Sequence, residues 1–290
     1  MSFASLLETT LLGVQTGMTL ILIASGLTLV FGLMDVANLA HGSFVMLGAY
    51  FGFAIVTSGL GNFWLALVAV PIALGAIAFG VERLTIRPLY EEDPLNTLLV
   101  TLGLAIIVQE AVSLVWGSHP KSIDVPAVIS GSTDLGLFTY PTFRLFLLVC
   151  SLLIVLGIWY VLSRSDFGII MRASEHDPEM VEALGRDVWA IYTVVFVVGA
   201  MLAGFGGVLL GGARAIDPGM GLAIIIQAFA IIVIGGLGSF RGAVIGSLVI
   251  GLLTVFGALY FPAFAEMMTF VLMGIVLIVK PSGLFGGTAA

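Results

Sequence analysis

The chain has little charge, little lysine and almost no cysteine. Only 9% of its 290 residues are charged, where soluble domains carry roughly 25%. With 60% hydrophobic residues and a mean hydropathy of +1.21, no soluble surface can be built. The shortage of charged and polar residues excludes a soluble enzyme, a nucleic-acid binder, a coiled coil and a disordered regulator. The single cysteine, Cys150, sits in an apolar run and excludes an internal disulfide framework or a cysteine-based zinc site. The two lysines, Lys121 and Lys280, and a net charge of −7 leave no basic patch for nucleic acid or anionic lipid. Acidic loops and scarce lysine also fit a high-salt habitat. The first basic residue is Arg83, so the N-terminus lacks the positive region of a secretory signal and no cleavage is expected.

Catalytic patterns are missing as well. The three histidines, His41, His119 and His176, form no His-Glu-x-x-His pair, and there is no Gly-x-Ser-x-Gly elbow. Neither lysine lies in a phosphate-binding loop, so this chain is read as a non-enzyme, and ATP-driven work has to come from a partner.

What is present is a series of apolar runs near 20 residues, the length that crosses a hydrocarbon core of about 30 Å at about 1.5 Å per residue. Nine candidates lie at 9–33, 39–57, 63–81, 95–116, 143–162, 189–211, 222–235, 243–259 and 264–279. Runs such as 10–31 and 145–162 are apolar on every face, which excludes a transmembrane β-barrel with its alternating strands. The expected fold is an all-α polytopic bundle of eight to ten transmembrane helices, with 1–290 forming one transmembrane domain.

Lysine and arginine in short loops mark the cytoplasmic side. If Arg83 and Arg87 are inside, Arg164, Arg172, Arg186, Arg241 and Lys280 are inside too, while Lys121, Arg144 and Arg214 are outside. Seven against three places the N-terminus outside and the C-terminus in the cytoplasm. Two longer loops follow: 117–142, external, and 163–188, cytoplasmic and richly charged. In the second, Asp177-Pro178 and the residues after it have the pattern of a short capped helix, suited either to docking a partner or to a solvated turn.

Two glycine-rich polar interruptions stand in opposite halves. Asp35, Asn38, His41, Gly42 and Ser43 separate spans one and two, and Gly235, Gly236, Gly238, Ser239 and Arg241 separate spans seven and eight. Paired interruptions in two halves point to broken helices lining a transport pathway, whose free backbone groups meet a neutral or zwitterionic solute. Read as packing, they are tight turns at the membrane surface. Gln15, Gln109 and Gln227 line a polar path or cross-link helices, and Glu110 is an acid within a span. The remaining acids lie in loops or at span ends, which disfavours an ion-coupled carrier.

The stretch GMTLILIASGLTLVFGLMDVANLAHGSFVMLGAY (17–50), with RPLY (87–90), IVIGGLGSFRGAVIG (232–246) and KPSGLFG (280–286), resembles the branched-chain amino-acid permease family of ABC importers, and its H-type subunit in particular. The resemblance implies a subunit that moves branched-chain or other neutral amino acids. It also implies an M-type permease partner, two cytoplasmic ATPase subunits that bind ATP and Mg, and an external solute-binding protein. No cofactor is expected in this chain. EALGRDV (182–188) is similar to the family's ATPase-contacting loop, which marks Glu182, Ala183, Gly185 and Arg186 for coupling; Leu184 departs from the usual Glu-Ala-Ala. The pathway residues implied are Asn38, His41, Gly42, Ser43, Gly235, Gly236 and Ser239, and Arg241 stands where a small residue or proline is more usual. Relatives that carry urea or short amides keep those solutes open as alternatives, beside the ion-coupled carrier.

Overall fold

A computed structural model describes residues 2–59, 61–90 and 92–286. All nine apolar runs are helices. Among the described residues six of these helices are long enough to cross a membrane, and three, α2 (His41–Thr57), α9 (Met220–Gly235) and α11 (Ala265–Val279), are shorter. The architecture is an all-α membrane bundle organised around α1 (Phe3–Met34), which touches α5 (Thr142–Arg164), α8 (Val188–Ala213), α9 and α10 (Phe240–Tyr260). At about 1.5 Å per residue α1 measures about 48 Å, longer than a hydrocarbon core, and most of its apolar stretch is buried. Below, "lower" denotes the end of the bundle where α1 terminates and "upper" the opposite end.

After Met34 the chain does not turn straight into a second full helix. Residues 35–40 fold back into the bundle as an irregular segment that ends in a turn, and α2 (His41–Thr57) begins beside Ile23, whose carbonyl lies 3.0 Å from His41 Nε2. Ile23 is about 16 Å above the Met34 end of α1. Backbone polar groups at that depth need internal partners. The Asp35 N–H returns to Phe31 O (2.9 Å), Asn38 Oδ1 accepts from the Ala40 N–H (3.0 Å), and Thr101 Oγ1 accepts from the Leu39 N–H (3.2 Å). Thr101 belongs to α4 (Pro94–Trp116), which leans against this return.

The second half repeats the device upside down. α8 (Val188–Ala213) packs antiparallel to α1, with Gly26 facing Gly199 and Leu22 and Ile23 near Gly206. From its upper end, residues 214–219 descend to α9 (Met220–Gly235). Ile216 in this return pairs with Lys121 through two backbone hydrogen bonds (2.9 and 2.8 Å). The N-termini of α2 and α9 therefore meet inside the bundle: a Cβ on Gly42 would overlap the Gly221 carbonyl oxygen. Only glycine permits that approach.

The remaining spans are α3 (Phe63–Val81), α5 (Thr142–Arg164), α10 (Phe240–Tyr260) and α11 (Ala265–Val279). A five-residue π turn, Glu82–Ile86, extends α3 at the lower end. The segment 280–286 clasps the α9–α10 turn, with the Leu284 and Phe285 N–H groups donating to Ile234 O (2.9 Å) and Gly235 O (2.8 Å). This contact forces glycine at 236, which has φ +107° and has a Gly286 backbone amide where a Cβ would sit.

Both long loops hold more structure than their sequences suggested. In 117–142 the strands β1 (Ser132–Asp134) and β2 (Thr139–Pro141) form an antiparallel hairpin. In 163–188 there are two helices rather than one. α6 (Asp166–His176) is capped by Ser165, whose Oγ accepts from the Gly168 N–H (3.1 Å). α7 (Pro178–Ala183) is capped by Asp177, whose Oδ1 accepts from the Met180 N–H (2.9 Å), as the Asp-Pro pair indicated.

Candidate solute cavity and coupling surface

A cavity of about 610 Å³ opens in the upper half between α1, α9, α10 and α11 and the upper ends of α5 and α8. That volume falls within the roughly 300–1,000 Å³ of small-molecule sites. Its wall mixes aliphatic side chains, among them Leu20, Ile23 and Ile224, with neutral polar ones. Gln15 is tied to its own helix, since Gln15 Nε2 donates to Thr19 Oγ1 (3.0 Å) and Thr19 Oγ1 donates to Gln15 O (3.0 Å). Gln227, Thr254 and Thr269 also line the cavity, and their side chains make no hydrogen bond with another described residue. Thr269 is nonetheless only 5% exposed. Among the described residues no acid lines the space, while Arg144 and Arg214 stand on its rim. Arg214 is exposed to solvent by surface area; the protein packed around it still lowers its pKa from the usual arginine value, and the nearby Asp217 opposes that shift.

The cavity stops at the α2–α9 junction. Ile23 and Ile224 line its inner part, and next to them lie the His41 contact with the Ile23 carbonyl and the Gly42–Gly221 approach. Asn38, His41 and Ser43 are all buried there, at 1%, 1% and 5% exposure. These residues and Gly42 are brought together below the cavity without lining it. Gly235, Gly236 and Ser239 sit elsewhere, in the α9–α10 turn at the lower end. Gly235 packs on Gly242, and Ser239 Oγ accepts from the Gly242 N–H (3.1 Å) to cap α10. The two interruptions still touch, because Gly238 packs on Gly32 at the end of α1. Arg241 is exposed in the first turn of α10.

Of the three glutamines marked in the sequence, Gln15 and Gln227 face the cavity and Gln109 does not. Thr254, Thr269 and the arginine pair were not marked as site residues. The available signal was that only three basic residues fall outside under the positive-inside assignment, and two of them are these arginines. Glu110 is exposed on α4, away from the cavity.

At the lower end, Glu182, Ala183, Leu184, Gly185 and Arg186 are all exposed. Gly185 ends α7 with φ +79°, its N–H donating to Glu182 O (2.8 Å). Met180 and Leu184, 56% and 75% exposed, add an apolar pair to this knob. Behind it, α6 contacts α1, and Glu175 approaches Gly238. Partial desolvation raises the Glu175 pKa, with His176 and Arg172 opposing. A chain of packing contacts therefore runs from the exposed knob to the point where both interruptions meet.

A second cluster joins α3 to the start of α8. Glu82, fully buried, accepts from the Tyr90 hydroxyl at Oε1 (3.1 Å) and from Thr193 Oγ1 at Oε2 (3.0 Å). Tyr90 stacks on Trp189 (centroids 5.5 Å apart, planes at 22°), and Arg87 lies over the same indole at 5.4 Å. The RPLY segment is thus a clamp on the helix that follows α7. Burial, then the Glu82 charge, raises the Tyr90 pKa above the ordinary phenol value. No cluster of metal-ligating residues occurs among the described residues.

The family model for the permease component of the branched-chain amino acid transport system matches residues 9–280. The chain is 34% identical to the high-affinity branched-chain amino acid transport system permease protein BraD of Pseudomonas aeruginosa, over 94% of both chains. It is 30% identical to the permease protein LivH of Escherichia coli, over 94% of this chain and 93% of LivH. The fructose import permease protein FrcC of Rhizobium meliloti is 28% identical over 49% of this chain. No solved structure gives a significant match.

Proposed function

Since the chain belongs to the family of branched-chain amino acid transport permease components, we propose how this permease subunit of an ABC importer works and what it carries. The solute is a branched-chain or other neutral amino acid. The complete importer adds an M-type permease, two ATPase subunits that bind ATP and Mg on the cytoplasmic side, and an external solute-binding protein. The chain itself hydrolyses nothing and needs no cofactor. The upper end faces outside with the N-terminus, and the lower end faces the cytoplasm.

The supporting observation is a cavity of mixed polar and aliphatic lining, with no acid among its described residues, that ends on two opposed half-helices. The wall of neutral amides and hydroxyls suits a zwitterion stripped of part of its water. Below it, Asn38, His41, Gly42 and Ser43 at the start of α2, pressed on the start of α9, form the closed gate of the pathway. Gly235, Gly236 and Ser239 form the hinge beneath. Docking of an ATPase on Glu182, Ala183, Gly185 and Arg186 moves α7 and α6, and α6 moves the α9–α10 turn against the end of α1. Relief of the Gly42–Gly221 approach then opens the path inward. Helix crossings packed through glycine suit such a step, because packed contacts switch between discrete arrangements rather than deform smoothly.

The test is ATP-dependent uptake by the whole importer in proteoliposomes, comparing leucine, urea and a short amide, with and without an ionophore. Leucine uptake that needs ATP and the binding protein is expected. Uptake of urea or amide instead would change the solute, and uptake that needs only an ion gradient would overturn the reading.

A further inference from the structure

Under the orientation proposed above, the external side holds three basic residues, Lys121, Arg144 and Arg214. Two of the three stand on the rim of one cavity. Arg214 makes no salt bridge or side-chain hydrogen bond with another described residue. Asp217, three positions on, directs its Oδ1 to the Gly219 N–H (2.9 Å) instead. Arg144 begins α5, half-buried beside the buried Tyr140. Arg214 is exposed at the mouth, and among the described residues no carboxylate lines the wall beside the two guanidiniums; their planar forks suit an oxyanion, and a carboxylate in particular. The rest of the wall combines neutral groups, Gln227, Thr254 and Thr269, with the aliphatic Leu20, Ile23 and Ile224. Charge at the mouth with neutral polar and apolar groups along the wall suits a carboxylate, an ammonium and a hydrocarbon side chain.

From this combination we infer that Arg214, with Arg144 beside it, binds the carboxylate of the entering solute and makes the cavity select amino acids over amides and urea. The inference rests on the importer reading and adds to it the residues that discriminate. A lipid phosphate would offer the same oxyanion chemistry, but it would place acyl chains against the hydroxyls and amides of the wall.

The experiment uses the whole importer in proteoliposomes with Arg214→Gln, Arg214→Lys and Arg144→Gln. Radiolabelled leucine uptake and ATP hydrolysis are measured together over a range of loaded binding protein. Arg214→Gln is expected to lower uptake per ATP hydrolysed by about tenfold to a hundredfold, the range for one charge-assisted hydrogen bond. Hydrolysis should keep its wild-type maximum and half-saturation, and Arg214→Lys should recover part of the uptake. Should Arg214→Gln fail to assemble, Arg144→Gln and Arg214→Lys carry the same test.

Unchanged uptake in the variants overturns the assignment. So does a raised half-saturation for binding protein with uptake restored at high concentration, which would make the arginines a protein-docking site. A loss confined to vesicles containing anionic lipid would give the site to a headgroup. If the wild-type importer itself shows no ATP-dependent uptake, the importer reading fails; if it transports and the variants match it, only the carboxylate assignment fails.

Discussion

Thr101 is the residue on which the re-entrant geometry of the first half can be tested by one atom. Its hydroxyl is fully buried, accepts from the Leu39 N–H at 3.2 Å, and faces the carbonyls of Ala37 (3.3 Å) and Leu98 (3.1 Å). Thr101→Val keeps the side-chain shape and deletes the hydroxyl. The Leu39 amide then has no partner at a depth where water is scarce, which costs about 1–3 kcal/mol. Thr101→Ser keeps the hydrogen bonds and loses one methyl group, about 1 kcal/mol of burial and packing. Equilibrium unfolding of the purified protein in mixed micelles, monitored by helicity, should therefore rank wild type above Ser above Val. Uptake should fall in the same order, because the return at 35–40 holds the start of α2 against α9. A valine variant as stable as wild type would refute the claim that Thr101 supports this backbone.

Other perturbations have distinct signatures. Gly42→Val drives a side chain into the Gly221 carbonyl and should lower stability by more than the roughly 1–3 kcal/mol of ordinary overpacking, whereas Gly103→Ala, with open space around it, should remain within about 0.5 kcal/mol of wild type in the same unfolding assay. Glu82→Leu strands the Tyr90 hydroxyl, while Thr193 keeps Trp189 O as an acceptor, and should cost about 1–3 kcal/mol, with Glu82→Gln, which retains one acceptor, less affected. Glu182→Lys combined with Arg186→Glu reverses the exposed charges of the α7 knob and should leave the fold intact while breaking the link between ATP hydrolysis and uptake. Measured coupling equal to wild type in that double variant would place the ATPase contact elsewhere.

The helices were legible because lipid imposes a simple rule: an apolar run of the right length closes all its backbone hydrogen bonds within itself. Nine runs read from hydropathy are nine helices, including the short α9. The position of a turn in depth was not legible. The interruption at 35–43 lies inside the bundle and that at 235–239 lies at its lower end, yet both read as glycine and polar residues between apolar runs. The difference is set by Thr101, distant in sequence, and by the glycine pair Gly42 and Gly221. The return at 214–219 escaped notice because ARAIDPG resembles an ordinary loop. Its descent shows only in the pairing with Lys121. α6 was missed because Ser174, Glu175 and His176 mask a face that packs through Gly168 and Met171. The cavity was half visible, through Gln15 and Gln227. Polar residues spread over five different helices carry no common spacing, so only the packed bundle reveals that they face one space.

The central claim is that this permease moves a neutral amino acid through the upper cavity and past the α2–α9 junction under the drive of ATP. Its most direct test is radiolabelled leucine uptake into proteoliposomes containing the wild-type importer with its binding protein outside and ATP trapped at the ATPase side. Accumulation that requires both ATP and binding protein is the predicted result. Accumulation that persists without either one and collapses with an ionophore would contradict the account.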